Sequence, residues 1–222
     1  MKTNKFPREL SYVLGMLFLP FAIAIMTKAN LGLSMIAAPT YIISEKVSFL
    51  SYGQTEYIAQ GIMLILMCLV VKKFKWTYLT AFLTSLIYGT ILDFFIWVVS
   101  FWTVEAMWLR VLLFVIGMLF TSLGVAMFMN TYLAPCMWDY FVRTVVEEKQ
   151  LDLRKFKLSY DFVFLIISVV LTLVLFHKFI GITWGTLVIA ACNGNIIAVI
   201  NKWFNKHFEL YDAFPKLAKL YK

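Results

Sequence analysis

The residues whose chemistry is hardest to place at random are polar groups set inside apolar runs. Asp93 ends the stretch Tyr88-Gly89-Thr90-Ile91-Leu92-Asp93, and Cys192-Asn193-Gly194-Asn195 interrupts a later apolar run. Glu56 and Gln60 stand at the head of another run, and Asp161 heads a further one. A carboxyl group in lipid costs free energy unless it is partnered, and such groups recur in proton and cation relays. Asp93 and Glu56 are therefore candidates for an ion or proton relay. Asn30, Ser34, Asp139, Asn193 and Asn195 are candidates for polar contacts with a small solute. Plainer accounts stand beside these: Asp93 pairing with Arg110 or a loop lysine, Asn193 bonding a neighbouring helix, Glu56 and Asp161 favouring helix N-termini. The sequence holds no phosphate loop, HExxH, nucleophile elbow or Cys–His metal spacing. His177 and His207 are isolated, and Cys68, Cys136 and Cys192 lie far apart. Neither an enzyme nor a cofactor or metal site is expected.

The elements that would position these residues follow from composition. Of 222 residues, 62% are hydrophobic and 14% are charged, with a mean hydropathy of +0.84. A water-soluble chain of this size could not hide that much apolar surface. Apolar runs fall at about 10–28, 53–71, 76–100, 107–129, 159–176 and 182–201, each the length a helix needs to cross roughly 30 Å of hydrocarbon. An all-α membrane protein with about six transmembrane helices is expected, because lipid offers no partner to open backbone. The first run resembles a signal peptide in its flanks, but its sequence returns later in the chain, where no signal could sit. Placing both termini inside leaves only Lys28, Lys46, Arg110 and Lys178 of the 20 Lys and Arg outside. From Lys2, Lys5 and Arg8 to Lys216, Lys219 and Lys222, the rest fall inside, as the positive-inside rule requires. The net charge of +8 thus serves anionic lipid rather than nucleic acid.

An internal repeat carries the functional expectation. Leu14-Gly15-Met16-Leu17-Phe18 returns as Ile116-Gly117-Met118-Leu119-Phe120, an offset of 102, which also lays Leu31–Met35 on Leu133–Met137. Further on the offset is 105: Glu56-Tyr57 matches Asp161-Phe162, Lys72-Lys73-Phe74 matches His177-Lys178-Phe179, and Gly89 falls on Gly194. Two three-span units, 1–103 and 104–204, follow, with a basic amphipathic tail over 205–222 on the inner surface. Three is odd, so the second unit is inverted, an architecture frequent among secondary transporters. After the first span of each unit lies an apolar segment too short to cross, 31–44 with Pro39 and 133–146 with Pro135. Both read as re-entrant or interfacial half-helices, with Gly32, Pro39, Pro135, Gly89 and Gly194 as breaks, and their N-termini suit an anionic or polar solute.

The Asn30-Leu31-Gly32-Leu33-Ser34 approach, its counterpart Ala134-Pro135-Cys136-Met137-Trp138-Asp139, and Tyr88-Gly89-Thr90 resemble the YczE/YitT-type bacterial membrane proteins. That resemblance implies a multi-pass protein of the bacterial cytoplasmic membrane without the soluble regulatory domain of YitT proteins. Met35 in place of a proline, and Gly194-Asn195 in place of a Gly-Thr pair, are departures from the family pattern. The sequence as a whole predicts a small-solute or ion transporter working by alternating access between its halves. An ion channel and a non-transporting accessory or regulatory subunit are the alternatives. The expected partners are the bilayer, an unidentified small solute or ion, and a second copy of the chain.

Overall fold

The computed structural model describes residues 4–221; Lys2 and Lys222 of the charge argument lie outside the described residues. The chain is helical almost throughout, in the order β1 (Asn4–Pro7), α1 (Arg8–Ala29), α2 (Ala38–Lys46), α3 (Tyr52–Val71), α4 (Trp76–Ser100), α5 (Met107–Met129), α6 (Met137–Lys149), α7 (Leu153–Phe176), α8 (Trp184–His207), β2 (Phe208–Tyr211) and α9 (Pro215–Tyr221). Helices α1, α3, α4, α5, α7 and α8 are long and apolar enough to cross a membrane.

Local chemistry sets the ends. Ser51 and Gln54 form a reciprocal capping box at the start of α3, and Asp152 accepts from the Lys155 N–H at 2.8 Å ahead of α7. Asn30, Lys72, Gln150 and His177 stop α1, α3, α6 and α7 in the left-handed conformation, with φ between 49° and 57°. Pro39 lies in the first turn of α2, where a missing N–H is harmless, so it starts that helix rather than interrupting it. Gly89 and Gly194 sit within continuous α4 and α8 and break nothing.

Helices α1 and α5 pack along each other at the centre, close enough that a Cβ on Gly15 would lie 3.2 Å from the Gly124 carbonyl oxygen. Helix α4 flanks α1 and also packs on α3, while α8 flanks α5. The two short helices reach across: α2 packs on α7, and α6 packs on α3. The break between α1 and α2 is clamped by the α7–α8 loop, since Thr183 Oγ1 donates to the Leu31 carbonyl and Leu33 N–H donates to the Gly181 carbonyl at 2.9 Å. Gly32 has φ of +113°, and a Cβ there would lie 2.7 Å from Thr186 N, so only glycine fits that turn.

The tail differs from a single amphipathic segment. Helix α8 runs to His207, and β2 then pairs in parallel with β1, Lys5 opposite Glu209. Arg8 pairs with Asp212 at 3.0 Å, and Glu9 accepts from the N–H groups of Ala213 and Phe214. Apolar spacing alone does not reveal a four-residue strand whose partner lies at the other end of the chain.

Candidate functional site: a cavity between the two short helices

Both short helices start beside one buried carboxyl group. Glu56, 1% exposed, takes the hydroxyl of Thr40 in the first turn of α2, the indole N–H of Trp138 in the first turn of α6 at 2.9 Å, and the Gln60 amide at 3.2 Å. Gln60 Oε1 in turn accepts from Met137 N–H, the first of α6, at 2.8 Å and from Ser85 Oγ at 2.5 Å. The positive ends of α2 and α6 thus already face an internal carboxyl group and its amide neighbour. This redirects the expectation that they await an anionic solute.

Above this network lies a cavity of about 390 Å³, within the range of small-molecule sites. Ser34, Glu56, Asp139 and the adjacent Asn193 and Gly194, drawn from four distant parts of the sequence, all line it. Asn193 Oδ1 accepts from Ser122 Oγ at 2.5 Å, which fixes its amide on the α8 face. Asp139 lies 4.0 Å from Lys157 Nζ, and the same ammonium sits 3.1 Å from Asp161 one turn along α7. Tyr88 lines the cavity from α4 at 5% exposure, and its hydroxyl has no hydrogen-bond partner among the described residues. The remaining wall is largely apolar, from Leu19 and Ile23 of α1 to Phe128 of α5 and Ile189 of α8.

The other residues singled out from sequence lie elsewhere. Asn30 is exposed and ends α1, and Asn195 is exposed on the side of α8 away from the cavity lining. Asp93 accepts from Ser51 Oγ at 2.5 Å and from the Gly53 N–H at 2.7 Å, so it caps α3 across the α3–α4 contact. Pro135 is buried in the approach to α6 and Pro39 in the first turn of α2. Sequence reasoning gave no site role to Tyr88, Lys157 or Thr40. Tyr88 stood in the Tyr88-Gly89-Thr90 motif, and Lys157 carried the signal of a charge four residues before Asp161 near the head of a span.

Among the described residues, six membrane-length helices around a partly polar interior define a polytopic, multi-pass membrane protein. Over residues 6–202 the chain matches a family described only as one of unknown function, DUF6198, and it belongs to that family. Neither the curated proteins nor the solved structures give a match.

Proposed function

We propose that the protein is a small-solute or ion transporter of the bacterial cytoplasmic membrane, with both termini cytoplasmic and the cavity as its solute site. The observation that carries this reading is the pairing of cavity-lining positions across the two three-span units. The offset of 102 relates Leu19 to Thr121, Ile23 to Val125, Ser34 to Cys136 and Ala37 to Asp139; the offset of 105 relates Glu56 to Asp161 and Tyr88 to Asn193. All of these line the one cavity. A site lined by equivalent positions lies where the two-fold axis of inverted repeats would pass, the place where such transporters hold their solute. The helix ends agree, since Lys72 and His177, also 105 apart, both stop their helices left-handed. In this reading α2 and α6 are re-entrant helices running from mid-depth to opposite faces. We propose in addition that the YczE/YitT-type proteins are its kin.

The two halves differ in closure. In α3 and α4, Gly53 and Gly89 touch, so that a Cβ on Gly89 would lie 2.6 Å from the Gly53 carbonyl oxygen. At the equivalent positions, Leu158 of α7 and Gly194 of α8 both line the cavity, and a Cβ on Gly194 would meet nothing within 4 Å. Alternation then means carrying α7, with α2 against it, toward α8 while the α3–α4 contact loosens.

The test uses Met35→Cys, a cavity-lining position in a chain otherwise freed of cysteine, in sealed vesicles. Alternating access predicts labelling by a membrane-impermeant maleimide applied to either face. Labelling from one face alone under every condition defeats the reading and favours an accessory subunit.

A further inference from the structure

The walls of this cavity carry more information than its place in the fold, and they bear on the class of solute. Its charged groups are unevenly balanced. Glu56 is already satisfied by Thr40, Trp138 and Gln60. That leaves Asp139 and Asp161, both lining the cavity, against Lys157 alone. The ammonium of Lys157 lies with its cation over the Tyr160 ring, 5.5 Å from the centroid, and close to Asp161. Asp139, at 4.0 Å, receives no hydrogen bond from it. One further positive charge would balance the group, whereas an anion would meet two carboxylates for one ammonium.

The rest of the lining is apolar, along Leu19, Ile23, Val125, Phe128, Ile189 and Ile197. Two polar groups on this lining lack a hydrogen bond among the described residues: the hydroxyl of Tyr88, a residue 5% exposed, and the buried Asp161 Oδ1, which has only the Lys157 ammonium at 3.1 Å; enclosed polar groups are almost always paired in folded proteins. A bound molecule with a polar atom beyond its apolar body would complete the Tyr88 hydroxyl. The cavity also has a side opening. Leu158 and Phe162 on α7 and Ala190 and Gly194 on α8 line it and are themselves exposed, on faces that the bilayer would cover.

We infer that the cavity takes an apolar molecule bearing one ammonium group, which enters between α7 and α8 and sets its charge between Asp139 and Asp161. This rests on the cavity being the solute site of the transporter reading. A free amine and the amino headgroup of a lipid leaning through the opening both supply such an ammonium; the chemistry at the carboxylates is the same.

The experiment measures saturable binding of radiolabelled 4-phenylbutylamine to the full chain in nanodiscs of phosphatidylglycerol, relative to empty discs. The amine is expected to bind, and 4-phenylbutanol and 4-phenylbutyrate to compete poorly. Asp139→Asn and Asp161→Asn are each expected to weaken binding about tenfold or more, the scale of a charged hydrogen bond. Lys157→Gln removes the internal competitor and is expected to tighten binding, which a purely structural lysine would not do. Tyr88→Phe is expected to weaken compounds with a distal polar atom and to leave 4-phenylbutylamine unchanged. Discs containing phosphatidylethanolamine separate the sources: lost amine binding assigns the site to the lipid headgroup, and retained binding to a free amine. Absence of saturable amine binding up to millimolar concentration, equal binding of the acid or alcohol, or no effect of either Asp→Asn variant overturns the inference. Two-sided labelling of Met35→Cys is read separately, so the solute class can fail while alternating access stands, and the converse.

Discussion

A carboxyl group as deeply enclosed as Glu56 is tolerable only because its donors come from three helices. Removing one member leaves the others buried without partners, at about 1–3 kcal/mol for each orphaned group. Glu56→Ala is therefore expected to destabilise the protein more than Thr40→Val or Trp138→Phe alone, with strong non-additivity in the double variants, read as melting temperature in nanodiscs. Asp93 calls for a different expectation. Tied to Ser51 Oγ and Gly53 N–H, it acts as a cap supplied from a neighbouring helix. Asp93→Ala is expected to lose about 1–2 kcal/mol, as lost caps do, and Asp93→Asn less. A relay role would instead show as near-normal stability with abolished ion-coupled flux in Asp93→Asn. The sequence made both carboxyl groups conspicuous because each stands in an apolar run. Their partners were not legible, since Thr40 and Trp138 reach Glu56 only once α2 and α6 have packed.

At the scale of elements, the six long helices could be read from run length alone, because lipid makes hydrophobicity decide where a helix lies. Helix ends were less legible: α7 begins at Leu153 and α8 reaches His207, each a turn or more beyond its apolar run. Lys155, Lys157, Lys202 and Lys206 extend these helices toward the membrane surface, where charged side chains are tolerated. The glycines provide a sharper contrast. Gly53 and Gly89 meet backbone to backbone, so a methyl group at either must force α3 from α4, while Gly194 faces open space. Gly89→Ala is expected to lower stability by about 1–3 kcal/mol, the usual range for overpacking. Gly194→Ala is expected to be neutral or stabilising, because alanine is the better helix former by about 1 kcal/mol. If α7 closes on α8 as α3 closes on α4, the same Gly194→Ala also slows exchange between the two faces, seen as slower labelling of Met35→Cys from the outer side.

At the scale of the molecule, α2 and α6 each pack on both α3 and α7, so the short helices join the first and second halves of the chain beyond the α1–α5 contact. Composition and repeat offsets do not contain this, because either short helix could have packed on its neighbour in sequence alone. The end of α6 is tied to the α3–α4 turn by Glu148, which accepts from Lys75 at 2.8 Å and Lys73 at 3.1 Å. The Lys75 bond, then the Lys73 bond, hold its carboxyl below the usual carboxylate range. A carboxyl group whose ionisation is favoured by folding stabilises the fold above its unfolded value and loses that contribution as pH falls through the folded one. A small loss of stability is expected as pH drops below about 4.5, the ordinary value for this group. Glu148→Gln is expected to remove that part of the pH dependence; the pair is exposed, so its share is slight.

The strand pair at the basic end sets a further condition on any motion. β1 leads into α1 and β2 leaves α8, so the ladder from Asn4 opposite Phe208 to Pro7 opposite Tyr211 ties those two helices together. Both flank α5, and α1, α5 and α8 are thereby held as one unit while the opening lies between α7 and α8. Alternation through that opening requires α7 to travel, and does not require the strands to part. A disulfide between Lys5→Cys and Glu209→Cys, paired across the ladder, is therefore expected to leave two-sided labelling of Met35→Cys intact. A short bifunctional cross-link between Leu158→Cys and Gly194→Cys is expected to abolish labelling from one face, because it holds α7 against α8. If the strand disulfide blocks alternation and the α7–α8 tether does not, the moving boundary runs through the strand pair, and α8 travels relative to α1.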